Sequence, residues 1–167
     1  RWNDALARRF QRAGGACAHV AVINEGLIGN RLLHDSPLRH AAKAPDFGRA
    51  LGESGLARFD RDVLRQPGVR AVIVHLGTND LGFDGGVAPA DETISASALM
   101  AGYRELVTRA HRAGLRAIGS TLTPVEGVRV LPNYDTPDKE RLRQQLNAWI
   151  RDSGAFDDVI DVDRALR

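Results

Sequence analysis

Apolar residues recur along this chain in two rhythms, one helical and one extended, and the two alternate. Trp2, Leu6 and Phe10 stand at i, i+4 and i+8 with Arg and Gln between them. That spacing predicts a helix over residues 1–13, stopped by Gly14-Gly15. Ala18 to Ile23 is a short β-prone run and predicts a first strand, followed by a Gly-containing loop, Asn24 to Asn30. Residues 34–53 show no period and contain Pro37, Pro45, Gly48 and Gly52, so they predict a long loop. Ser54 is placed as an N-cap, with Leu56, Phe59 and Val63 on one helical face and Pro67-Gly68 as the stop.

Arg70 to Leu76 predicts the second strand, and a loop rich in Gly, Asp and Pro runs from Gly77 to about Glu92. Leu99, Tyr103, Leu106, Val107 and Ala110 then predict a long helix ending at Gly114. Leu115 to Leu122 predicts a third strand, followed by a loop from Thr123 to Asp135. Thr136-Pro137 is a helix start, a cap followed by proline at the first helical position. Leu142, Leu146, Trp149 and Ile150 give that helix its core face, and Val159 to Val162 predicts a last strand. Strand and helix alternating in this way imply a flavodoxin-like three-layer α/β/α domain with a parallel sheet, one domain over residues 1–167. Ligands of such sheets bind beyond the carboxyl ends of the strands. The three longest loops, 24–53, 77–92 and 123–135, fall there.

Composition narrows the class. Hydrophobic residues make up 43% of the 167 and charged residues 26%, enough apolar material for a core. Twenty-three Lys+Arg against twenty-one Asp+Glu leave a net charge of +2, with the signs interleaved as in Arg58-Phe59-Asp60-Arg61-Asp62. No basic stripe with aromatics appears, so nucleic acid is not an expected partner. One cysteine, Cys17, excludes an internal disulfide and is expected to be a small buried core residue. No Cys/His spacing suggests a metal, no cofactor is expected, and no apolar run approaches the roughly 20 residues that span a bilayer.

Two loops carry motifs. One is Ile23 to Leu33, INEGLIGNRLL, and the other is His75 to Asp80, HLGTND. Together they resemble the SGNH (GDSL-type) serine esterases and lipases. Gly29-Asn30 corresponds to that family's glycine block, and Gly77-Thr78-Asn79-Asp80 to its G-x-N-D block. SGAFDDVIDVDRAL, near the other end, resembles the segment that leads into the last block of bacterial members. The resemblance covers about residues 2–166. Ile28 departs from it, since many relatives have a small Ser or Thr there. Two further blocks are absent: G-D-S, which bears the nucleophile, and D-x-x-H, which bears the base. His34-Asp35-Ser36 comes nearest to the first but lies in the wrong order, so Ser36 is read as an ordinary loop serine. None of His19, His34, His40, His75 and His111 has Asp or Glu three residues before it. The expectation is therefore a domain truncated at both ends, without its first strand and C-terminal helix. By the family's topology the missing strand would lie between the Ala18–Ile23 and Arg70–Leu76 strands.

The resemblance implies hydrolysis of a small-molecule carboxylic ester, such as an acylated lipid or sugar, through a serine acyl-enzyme. Gly29 and Asn79 would be oxyanion donors, and nucleophile and base would lie outside this chain. It also implies a bacterial and often exported protein, which leans the location towards secreted or periplasmic. Asp80 is expected to hold its loop rather than react. Simpler readings stand beside these. Asn79 and Gly29 are ordinary turn residues, and His75 is a core or rim residue. Glu25 and Glu126 are solvated, and Trp2 and Trp149 are packing residues. Two other functions remain open: a non-catalytic ligand- or carbohydrate-binding module on the same fold, and a flavodoxin-like phosphate or cofactor binder. The last has no Gly-rich phosphate loop behind it.

Overall fold

The computed structural model describes residues 2–36, 51–128, 131 and 133–166. Helix α1, Trp2–Ala13, forms as expected. Its apolar stripe does not reach a core, however: Trp2 is 56% exposed and Asn3 is the buried residue. The helix packs chiefly on the 3-10 turn that follows it, Gly15–His19. That turn and the irregular chain after it replace the strand expected over Ala18–Ile23, and Cys17 is exposed rather than buried. The reason lies in the sheet. A β-prone run becomes a strand only when a neighbour takes its N–H and C=O groups. The described sheet offers this run no neighbour, and Ile23 is left 57% exposed.

Ser54 caps helix α2, Gly55–Phe59, by accepting from the Ala57 N–H, and the helix continues as a π turn, Asp60–Leu64. Strand β1, Ala71–Val74, leads into a short helix α3, Thr78–Phe83, where a loop was expected. Helix α4, Ala96–Arg112, is capped by Ser95 and buries the five apolar residues that its period marks. Strand β2, Arg116–Ser120, precedes helix α5, Pro137–Asp152, capped by Thr136. Strand β3, Asp158–Ile160, begins one residue earlier than its pattern suggested, and α6, Val162–Ala165, closes the described chain. Of the loop expected over 34–53, residues 37–50, including Pro37, His40, Pro45 and Gly48, lie outside the described residues.

The three strands are parallel in the order β1-β2-β3, with Val74 opposite Gly119 and Ser120 opposite Ile160. Parallel neighbours require crossovers, and α4 and α5 supply them. Leu32, Leu99, Tyr103, Leu106, Leu122 and Leu146 are among the most deeply buried residues, and fully burying a side chain of this size contributes about 1.5–3 kcal/mol. Trp149 is a packing residue as expected, stacked on Tyr103 at 6.0 Å with Phe156 edge-on to both. No helix of the described residues is long and apolar enough to cross a membrane.

Polar side chains on the inner face of α5 hold the carboxyl edge of the sheet. Asn147 accepts from the Leu122 N–H (2.7 Å) and donates to the Leu122 carbonyl (2.9 Å), so it acts as one rung of an extra strand. Arg143 donates to the same carbonyl and to Asp163. Arg151 donates to Asp161 and Asp163, and Thr121 Oγ1 donates to Asp161. The Arg151 guanidinium holds the Asp161 carboxyl far below the usual carboxylate range. A depressed carboxyl pKa stabilises the fold above the ordinary pKa of aspartate, about 3.9, and that stabilisation fades as pH falls further. Asp161→Asn should therefore lower the urea midpoint at pH 7, and the deficit should shrink at pH 3. Equal deficits at both pH values would show that the ion pair contributes nothing.

Candidate active site

The chain leaves β1 through His75, Leu76 and Gly77. Gly77 has φ +107, and a Cβ there would collide with the Tyr103 hydroxyl, which donates to the Leu76 carbonyl at 2.7 Å. Only glycine suits both the backbone angle and the approach. The turn sets Thr78, Asn79 and Asp80 into the first turn of α3, at the carboxyl end of β1.

Asp80 points inward and is fully buried. Its two oxygens accept from the Leu32 and Leu33 N–H groups at 2.7 and 2.9 Å. Burial pushes its carboxyl above the usual range, and the backbone donors pull against that shift. In this way the segment just after Gly29-Asn30 is fastened to the helix that carries Asn79.

Asn79 completes the connection. Its Nδ2 donates to the Asn30 carbonyl (3.0 Å), and its Oδ1 accepts from the Tyr134 hydroxyl (3.0 Å). Asn30 is itself buried, with Nδ2 on the carbonyls of Leu51 and Glu53 and Oδ1 accepting from Arg58 Nε. Gly29, half-buried, has φ +69, and an ideal Cβ would lie 2.6 Å from Leu51 Cδ2. A left-handed angle costs an L residue about 1–2 kcal/mol, so this turn is built for glycine. Gly29 enters it from irregular chain and not from a strand.

None of the remaining candidates bonds to Asn79 or Gly29 among the described residues. His75 Nδ1 is 2.8 Å from Ser120 Oγ, and desolvation holds the imidazole below its ordinary pKa. It has no carboxylate partner among the described residues. The Ser36 N–H donates to the Gly52 carbonyl, and its buried Oγ bonds to no histidine among the described residues. Asp35 accepts from the Ser54 N–H. The Glu25 carbonyl accepts from Arg58, so that residue is tethered rather than simply solvated, whereas Glu126 is exposed. Among the described residues no group of three or more His, Cys, Asp or Glu side chains is arranged to hold a metal.

Tyr134 and Lys139 were not singled out by the sequence pattern. Lys139 Nζ donates to the carbonyls of Gly82 (3.0 Å), Asp84 (2.7 Å) and Asn133. It thereby fastens the end of α3 to the loop that carries Tyr134. A small pocket lined by Thr78, Leu81, Gly82, Val125 and Tyr134 lies beside this contact.

The family model for the GDSL-like Lipase/Acylhydrolase family matches residues 1–167, and the chain belongs to that family. Membership brings the SGNH α/β fold, with which the parallel sheet and its helices are consistent, and an ester-hydrolysing class of activity. No curated protein matches the chain at a significant level.

Asp80→Asn would turn one acceptor into an NH₂ facing a backbone N–H. Leaving one such buried donor unpaired costs about 1–3 kcal/mol. The variant should unfold at clearly lower urea than the parent. An unchanged midpoint would mean that the Leu32 and Leu33 contacts are dispensable.

Proposed function

We propose that this chain forms the oxyanion-binding part of a serine ester hydrolase, with Gly29 and Asn79 as donors. The nucleophilic serine and its Asp/His base are assigned to polypeptide outside residues 1–167, since neither G-D-S nor D-x-x-H occurs in the sequence. The observation that carries the reading is the 3.0 Å hydrogen bond from Asn79 Nδ2 to the Asn30 carbonyl, which sets the two motif loops side by side. A carboxamide NH₂ has two hydrogens. One is used on Asn30, and the other is available to a substrate oxygen.

In the chemistry so assigned, the serine oxygen attacks the ester carbonyl while the base takes its proton. The carbonyl oxygen becomes an oxyanion, and the N–H groups of Asn79 and Gly29 donate to it. The tetrahedral adduct collapses, the alcohol leaves with the proton, and water releases the acyl group by the same route. Donors fixed before charge develops stabilise the transition state more than the ground state. Glycine at position 29 brings a backbone N–H close without a side chain in the way.

The test is Asn79→Ala in the full-length protein with a p-nitrophenyl ester. Turnover should fall about 10²–10³-fold with KM changed much less. An unchanged rate would remove Asn79 from the oxyanion site. A fluorophosphonate provides an independent check, because it should label a serine outside residues 1–167. Label on Ser36 would mean that an internal serine is the nucleophile.

A further inference from the structure

The Asn79 carboxamide has two ends of nearly equal size, and only its partners decide which end faces which way. The Asn30 carbonyl can only accept, so the end that faces it must be NH₂. The other end must then be the oxygen, and the Tyr134 hydroxyl donates to it at 3.0 Å. If the amide were flipped, two carbonyl oxygens would face each other at hydrogen-bond distance.

Tyr134 is held as firmly as the group it touches. It is 9% exposed and packs edge-on against Phe83 at 6.2 Å. Its ring lies so close over Gly82 that a Cβ there would collide with it. Gly82 and Phe83 belong to α3, the helix that carries Asn79, and Lys139 pins Asn133 to the end of that helix. Burial also pushes the phenol above its ordinary pKa, so the hydroxyl stays protonated and able to donate at neutral pH. A donor on the amide oxygen draws electron density from the amide nitrogen and strengthens the hydrogen bonds that its N–H groups give.

We propose that Tyr134 is a positioning residue for ester hydrolysis. It fixes the orientation of the Asn79 carboxamide and strengthens the N–H offered to the oxyanion. The assignment rests on the oxyanion role proposed for Asn79. Nothing in the local pattern around Tyr134 marks it, because its partner lies 55 residues away.

The experiment is a double-mutant cycle in the full-length protein, with active sites counted by fluorophosphonate so that rates refer to folded enzyme. Tyr134→Phe keeps the ring and removes only the hydroxyl. It should lower kcat about tenfold, the rate equivalent of one ordinary hydrogen bond, with KM changed less than twofold. On the Asn79→Ala background the same substitution should change kcat less than twofold, because the group it acts through is gone. Gly82→Ala, whose added methyl would push the ring away, should follow the same pattern and serves if Tyr134→Phe folds poorly. If Asn79→Ala costs activity but Tyr134→Phe does not, the positioning role is overturned while the oxyanion reading stands. Equal losses on both backgrounds would also overturn it, since Tyr134 would then act elsewhere. An active Asn79→Ala enzyme overturns both assignments.

Discussion

Two backbone N–H groups, from Leu32 and Leu33, end on one buried carboxylate, and the arrangement of the site depends on that contact. Asp80 is separated from them by nearly fifty residues, so the bond closes a large loop. Hydrogen bonds of this kind contribute about 0.5–1.5 kcal/mol each, enough to offset a useful part of the ordering cost. The aspartate next to the proposed donor is thus the residue that brings the second loop within its reach. Asn79 and Asp80 divide the work between them. One side chain faces the Asn30 carbonyl and the other faces the interior.

Around that contact the same solution recurs: a polar side chain from a helix satisfies the backbone where a strand ends. Asn147 serves Leu122, Tyr103 serves the Leu76 carbonyl, and Lys139 serves two carbonyls at the end of α3 and that of Asn133 in the loop before α5. The carboxyl edge of a parallel sheet exposes backbone groups that no further strand will pair. Fixing them with side chains keeps that edge rigid, as pre-aimed donors require.

What could be read in the sequence follows from distance along the chain. Helix α4 was legible from its period and its stop, and α5 from its cap and its period, because these signals lie within one segment. Asp80 was legible as a loop holder from its place in G-T-N-D. The strand over Ala18–Ile23 was not, because β-propensity describes the run itself and says nothing about a neighbour to pair with. Trp2 and Cys17 were misplaced for the same reason, both assigned to a core that the described sheet does not extend to them. Arg143 and Asn147 look like solvated helix residues in the pattern. Their burial depends on meeting Leu122 more than 20 residues away, and no local rule contains that encounter.

The outer side of β1 has a consequence for how this polypeptide behaves in company. β2 pairs with only one side of the strand, and among the described residues no strand covers the other. Among the described residues this free side of β1 is open to any extended chain of suitable register, because backbone recognition is indifferent to sequence. Val20, Ile23, Leu27 and Ile28, all substantially exposed, add greasy surface to the same molecule. An extended strand supplied from elsewhere would find its hydrogen-bond partners already aligned along β1.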